Sequence, residues 1–192
     1  VPRDEPIGSL SFHALDRPAQ QVASEVDHRI LSPDFANGKV ATVPAPEPPQ
    51  VGGEIYGLWN RFFPIKITTR VLANMLKGDG SSVPLEALQE NASKNARALG
   101  KLLFKKERDL GRKRQDMIAT ALPTKRDEFK ARARFKSHFV GYLTKRDKQT
   151  RIEGAPAVLR FVRIFKDENG RDQVGLTAAG LKFASLSNPV ID

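Results

Sequence analysis

The chain has 192 residues, of which 40% are hydrophobic and 28% charged, and its formal net charge is +10. This composition fits one globular domain with a packed core, or two small ones. The absence of cysteine excludes disulfides, thiolate nucleophiles and most structural zinc sites. No apolar run approaches the roughly 20 residues that span a bilayer, and the N-terminus lacks the pattern of a signal peptide.

The positive charge is unevenly distributed along the chain. Residues 1–60 hold four Lys or Arg against eight Asp or Glu, whereas residues 61–192 hold 28 against 14. A basic body of this kind attracts polyanions, because cations that neutralise phosphates release condensed counterions. A solvated basic surface without a polyanionic partner has the same composition, so charge alone does not decide the function.

Residues 1–53 are predicted to form an N-terminal arm. The stretch from Thr42 to Gly53 contains four prolines and ends in two glycines, which is typical of an extended linker. We therefore place a boundary near residue 53. The arm either packs on the body, recruits a partner or remains disordered.

Apolar and aromatic residues are dense from Ile55 to Ile67. We interpret this segment as a short helix or strand that leads into the first domain, with Pro64 breaking any helix. Thr68 or Thr69 is then expected to cap a helix that runs to about Lys77.

A helix-turn-helix is predicted next. Residues 78–82 form a turn, Pro84 suits the first turn of a short helix, and Ser93 is a good N-cap for a third helix. Apolar residues recur there at spacings of three and four, so they define a buried face. The remaining positions include polar residues able to reach base edges and phosphates, namely Lys94, Asn95, Arg97, Lys101 and Lys105.

One alternative to this helix-turn-helix stays open. Ser93 permits a break but does not force one, so residues 84–110 are also compatible with a single long helix. The basic residues would then lie on a solvated face of a helical bundle.

Gly111 is predicted to end the third helix or start a turn. Residues 115–122 would return as a strand that Pro123 closes. The resulting hairpin would carry Arg112, Lys113 and Arg114 as a basic wing against the phosphate backbone or a minor groove.

The last third of the chain combines a basic helix with a hairpin. Residues 125–144 are predicted to form an amphipathic helix whose cations include Arg132, Arg134 and Lys136. This helix face fits a binding track and a solvated surface equally well. Strands over 158–166 and 173–176 should flank a turn that ends in Asn169-Gly170, the strongest hairpin dipeptide. Thr177 should cap a last helix.

Residues 68–123, and within them Val83–Leu88 and Ser93–Leu103, resemble the winged helix-turn-helix superfamily. The C-terminal hairpin and helix are similar to a second, compact copy. The resemblance implies an α+β, mostly helical fold with a winged-helix domain over residues 54–123. A second winged-helix-like α+β subdomain would follow over 124–192, and the arm would precede both.

The resemblance implies double-stranded DNA as the partner, with the recognition helix in the major groove and the basic wing on the backbone. The chain would act as a regulator or as the DNA-binding part of a DNA-processing or defence system. It would be cytoplasmic and nucleoid-associated, or nuclear, and neither secreted nor bound to a membrane. A homodimer, or a partner protein held by the acidic arm, is compatible with the sequence.

The alternative function is a protein-interaction winged-helix subunit of a larger nucleic-acid-processing complex. RNA binding is less favoured because the paired surface aromatics of an RRM-like sheet are missing. The sequence contains no HExxH, GxSxG, P-loop or GxGxxG motif, so we expect no enzyme, no metal and no cofactor.

Overall fold

The structure is a computed structural model that describes residues 40–46, 62–78, 80–124, 128–141, 154–188 and 190. These residues form an α+β fold that is mostly helical. The helices are α1 (Phe62–Met75), α2 (Leu85–Asp109), α3 (Glu128–Phe135, extended by a π-helical turn over Lys136–Val140), α4 (Ala155–Val158) and α5 (Ala178–Ser185). The strands are β1 (Val83–Pro84), β2 (Val162–Lys166) and β3 (Asp172–Leu176).

The three strands form one antiparallel sheet in the order β1-β3-β2. Val174 of the central strand pairs with Val83 on one side and with Ile164 on the other. The predicted hairpin over β2 and β3 is confirmed, with its turn closed by the Gly170 amide on the Asp167 carbonyl at 2.9 Å. Because β1 lies within residues 54–123 and the hairpin within 124–192, both predicted domains contribute to the same sheet.

A single hydrophobic core joins the helices to this sheet. Helix α1 is buried along most of its length, and α2 contributes a row of leucines on its inner side. Phe135 and Phe139 of α3 pack against each other with ring centroids 5.6 Å apart. Val162, Val174 and Leu176 face the helices from the sheet, since alternate residues of a strand point to the same face.

Helix α2 runs without a break for 25 residues, so the predicted break at Ser93 is wrong. The Ser93 side chain is fully buried, and its hydroxyl donates to the Glu90 carbonyl at 3.1 Å within the helix. A Ser hydroxyl that finds a partner in the preceding turn has no need to cap a new helix. The long-helix alternative is therefore the observed structure.

Helix α1 also begins earlier than predicted. Pro64 does not break it, because Pro64 is the third residue of the described helix and the first N–H groups of a helix have no intrahelical acceptor. Thr68 and Thr69 are not caps either. They are buried inside α1, and their hydroxyls donate to the Pro64 and Lys66 carbonyls at 3.2 and 3.0 Å.

Residues 112–122 do not form the predicted wing. In place of a returning strand, the chain makes two 3-10 turns, Arg114–Asp116 and Ile118–Ala121. The fully buried Glu107 carboxylate fixes the second turn by accepting from the amides of Ile118 at 2.9 Å and Ala119 at 3.0 Å. An N–H held by a carboxylate is unavailable to a β-ladder, so this segment does not pair as a strand.

The last helix is held at both ends. The Thr177 hydroxyl accepts from the Gly180 amide at 3.0 Å, which confirms the predicted N-cap. At the other end, the buried Arg70 donates to the carbonyls of Ala184 at 3.1 Å and Leu186 at 3.0 Å. Lys66 donates to the carbonyl of Leu186 as well. Cations at a helix C-terminus donate hydrogen bonds to its free carbonyls and are attracted by the negative end of the helix dipole.

Part of the predicted arm packs on the body. The Val43 amide donates to the Leu176 carbonyl at 2.8 Å, and Arg160 donates to the Pro46 carbonyl at 2.9 Å. A Cβ built on Gly175 would lie 2.6 Å from Val43 Cγ1, so the glycine makes room for this contact. Residues 1–39 and 47–53 of the arm lie outside the described residues.

Two glycines meet where α3 ends and α4 begins. Gly141 and Gly154 have φ angles of 128° and 78°, a region that favours glycine. A Cβ built on Gly154 would lie 2.8 Å from Gly141 Cα. The backbone on either side of residues 142–153, which lie outside the described residues, is therefore in direct contact.

Candidate nucleic-acid interface

The outer side of α2 carries a row of cations. Since residues three and four apart lie on the same face of a helix, the spacing places five basic residues in one line. We call this line the basic stripe; it consists of Lys94, Arg97, Lys101, Lys105 and Arg108. At 1.5 Å per residue the stripe is about 21 Å long. Four of its side chains are exposed, and Arg97 is half-buried.

The basic stripe contains like charges that lie one helical turn apart. Like charges at i, i+4 destabilise a helix by about 0.2–0.5 kcal/mol per pair, and the stripe contains two such spacings, Arg97–Lys101 and Lys101–Lys105. A polyanion that binds along the stripe would remove this repulsion.

Helix α3 contacts α2 through Glu90, at the N-terminal end of the basic stripe. Arg132 Nη2 lies 2.9 Å from Glu90 Oε2, and Lys136 Nζ donates to Glu90 Oε1. Beside this contact is a surface cavity of about 240 Å³, which we call the α2–α3 cleft. Its lining residues are Glu90, Asn91, Lys94, Arg97 and Arg132.

Glu90 is an anion within this positive surface. The hydrogen bond from Lys136 lowers the pKa of the Glu90 carboxyl; burial opposes this shift, and the charges of Lys136 and Arg132 add to it. The carboxyl is therefore ionised at neutral pH. It partly neutralises two of the cations that the sequence assigned to DNA.

The remaining predicted contact residues divide into accessible and inaccessible positions. Arg134 is exposed on α3, and Lys113 and Arg114 are exposed beyond the end of α2. Asn95 is only 7% exposed, and its amide donates to the Asn91 carbonyl at 2.9 Å. Since Asn95 points into the protein, its predicted role in reading bases does not fit its position.

Arg112 was predicted to lie on a basic wing, but in the structure it contacts Glu107. Its guanidinium is 3.3 Å from Glu107 Oε1, and this carboxylate is the one that fixes the second 3-10 turn. Arg112 therefore belongs to the support of that segment, whereas the neighbouring Lys113 and Arg114 project into solvent.

Sequence reasoning missed three exposed residues of this surface. Arg108 continues the basic stripe one turn further, a position that is apparent only when α2 is continuous. Phe129 and Lys130 lie in the first turn of α3, where the Phe129 side chain is 84% exposed. The charge of the predicted helix over 125–144 was the signal for Lys130. Phe129 carried no signal of exposure, because an aromatic residue in an amphipathic helix is expected to pack.

The β2–β3 hairpin presents further cations on a rigid turn. The Asp167 carboxylate accepts from the amides of Asn169 at 2.9 Å and Arg171 at 2.8 Å. These bonds lower the pKa of the Asp167 carboxyl, and the bond from the Arg171 amide has the larger effect. Arg163 and Arg171 are exposed on this hairpin, so its shape is fixed and its surface is partly basic.

Comparison with protein-family models, curated proteins and solved structures finds no match to the chain. Within the described ranges, no three His, Asp or Glu side chains are grouped to hold a metal ion. A helix long and apolar enough to cross a membrane is also absent from that part of the chain.

Proposed function

We propose that this chain binds double-stranded DNA through the basic stripe of α2 and the exposed side of α3. The observation that carries the proposal is the stripe itself, about 21 Å of cations at helical spacing that continues into the α2–α3 cleft. Arg and Lys side chains in such a line can each neutralise a phosphate, and this term dominates affinity for DNA.

The connectivity of the fold supports a winged-helix version of this proposal. The elements follow the order α1, β1, α2, α3, β2, β3, with the short α4 inserted, and the sheet order is β1-β3-β2. In this version α3 is the recognition helix and the β2–β3 hairpin is the wing. Both assignments differ from the sequence prediction, which used residues 93–109 and 112–114.

In this arrangement the residues have distinct roles. Lys130 and Arg134 on the exposed part of α3 are placed to enter the major groove, where Arg forms paired hydrogen bonds with guanine. Lys101 and Lys105 contact phosphates and contribute affinity without sequence preference. Arg163 on the hairpin holds the backbone on the other side of α3.

The test is binding to a random-sequence duplex, followed by fluorescence anisotropy across a salt series. The variant Lys101→Ala/Lys105→Ala should bind more weakly, and its salt slope should fall by about 2, because each lost phosphate contact removes about 1. The matched control is Lys77→Ala/Lys182→Ala, which removes the same charge from exposed positions on other elements. It should leave the slope nearly unchanged.

Two results would overturn the proposal. If the wild-type chain does not bind DNA even at low salt, the protein-interaction alternative takes its place. If both double variants reduce the slope equally, binding depends on net charge rather than on the basic stripe.

A further inference from the structure

Glu90 lies inside the surface that is proposed to contact DNA. It is on α2, one turn before Lys94, and its carboxylate bonds to Arg132 and Lys136 of α3. An acidic residue at this place repels a polyanion. This repulsion should weaken DNA binding, so the presence of Glu90 at this position requires a physical explanation.

The geometry of these contacts resembles that of a bound phosphate. Each of the two Glu90 oxygens accepts from a different cation of α3, Oε2 from Arg132 at 2.9 Å and Oε1 from Lys136. A backbone phosphate also offers two charged oxygens to neighbouring donors, and Arg and Lys bind either anion. Carboxylate and phosphate are therefore competitors for the same two side chains.

The α2–α3 cleft offers room for the exchange. Asn91, Lys94 and Arg97 line it together with Glu90 and Arg132. The Glu90 side chain is 56% exposed, so it can turn toward solvent without breaking the core. Exposed ion pairs contribute little to stability, and a phosphate contacting several cations at once has the advantage over Glu90.

We propose that the α2–α3 cleft binds one DNA backbone phosphate and that Glu90 is its built-in competitor. This inference rests on the proposed function. In the free protein Glu90 holds Arg132 and Lys136 against α2 and partly neutralises the cleft. On binding, the phosphate takes these cations and Glu90 moves to solvent. Every duplex whose phosphate enters the cleft must first displace Glu90, so the residue lowers the affinity for DNA.

The first experiment compares Glu90→Gln with Glu86→Gln by anisotropy on one duplex across a salt series. Glu86 is exposed on the same helix one turn earlier, so both variants remove one negative charge from α2. Glu90→Gln should bind roughly tenfold more tightly at low salt, and its salt slope should steepen by about 1, the equivalent of one phosphate contact. Glu86→Gln should change affinity by no more than about twofold to threefold, from long-range charge alone.

The second experiment uses the wild-type protein and needs no variant to fold. The side-chain carboxyl carbon of Glu90 and the guanidinium of Arg132 are followed by NMR as duplex is added. Both signals should shift together when the ion pair opens. Unchanged signals in a protein that is saturated with DNA would overturn the inference.

The outcomes separate this inference from the proposed function. Equal effects of Glu90→Gln and Glu86→Gln, with salt-dependent binding of the wild type intact, refute the competitor role and leave DNA binding standing. No binding by any of the three proteins refutes both.

Discussion

Glu107→Ala should be the most damaging single substitution in the segment that follows α2. The carboxylate is fully buried and accepts from two backbone amides, those of Ile118 and Ala119. Hydrogen bonds to a charged group contribute about 1.5–3 kcal/mol each, and the cost of burying the carboxylate offsets part of this. Removing it leaves the Ala119 amide and Arg112 without their acceptor, so the free energy of unfolding should fall by about 3 kcal/mol.

Urea unfolding followed by circular dichroism measures this loss. With a slope of about 2 kcal/mol per molar urea, the Glu107→Ala midpoint should fall by roughly 1.5 M. Glu107→Gln keeps one oxygen acceptor without the charge and should lose about half as much. The control is Asp109→Ala, an exposed acid that lies 3.7 Å from Arg108, which should stay within about 0.5 kcal/mol of the wild type. Equal midpoints for Glu107→Ala and Asp109→Ala would refute the reasoning.

Three further predictions concern the C-terminal part of the fold. Gly180→Ala should cost about 3 kcal/mol or more, because the new Cβ would lie 1.9 Å from a backbone carbonyl oxygen; Gly80→Ala, with its nearest atom at 3.6 Å, should unfold at nearly the wild-type temperature. Thr177→Val removes the N-cap acceptor of α5 and should cost about 1–2 kcal/mol in thermal unfolding, whereas Thr177→Ser should restore most of it. The Asp167 carboxyl should titrate by NMR below its ordinary pKa of 3.8, chiefly because the Arg171 amide bonds to the charged form. Its contribution to stability is then present above pH 3.8 and lost as the pH falls through the lowered value; a midpoint at or above 3.8 would contradict the hydrogen bonds of the turn.

Local signals predicted the C-terminal part of the fold correctly. The Asn169-Gly170 turn and the Thr177 cap each depend on neighbours within a few residues, so the sequence alone contains the information. The basic helix over 125–144 was recognised for the same reason, and its described part is α3 with its π-helical turn.

The parts of the fold that the sequence did not predict depend on contacts between residues that are not neighbours in the sequence. Whether Ser93 starts a helix or lies inside one depends on the tertiary packing that buries it. Strand β1 has two residues, and it is a strand only because Val83 pairs with Val174. Glu107 fixes the second 3-10 turn of the predicted wing segment through hydrogen bonds to residues 11 and 12 positions further along the chain. No periodicity in the segment indicates these bonds.

The sequence identified most of the basic residues of the candidate site, but it did not predict the contacts between α2 and α3. Lys94, Arg97, Lys101 and Lys105 were identified from one helix face, and the structure places them in one line on α2. The ion pairs of Glu90 with Arg132 and Lys136 were not predicted, because they join residues 42 and 46 positions apart. A single sequence gives no signal for an ion pair between two helices whose packing is unknown.

The contact between Gly141 and Gly154 bears on how this protein can change over time. Residues 142–153 connect two backbone positions that are in direct contact, and the entropy of closing such a connection grows only slowly with its length. A change in the length of this connection should therefore cost little closure entropy. The segment contains four basic residues, Lys145, Arg146, Lys148 and Arg151, next to the end of α3. Substitutions in this connection can thus raise or lower the positive charge of the chain between two backbone positions that the fold keeps in contact.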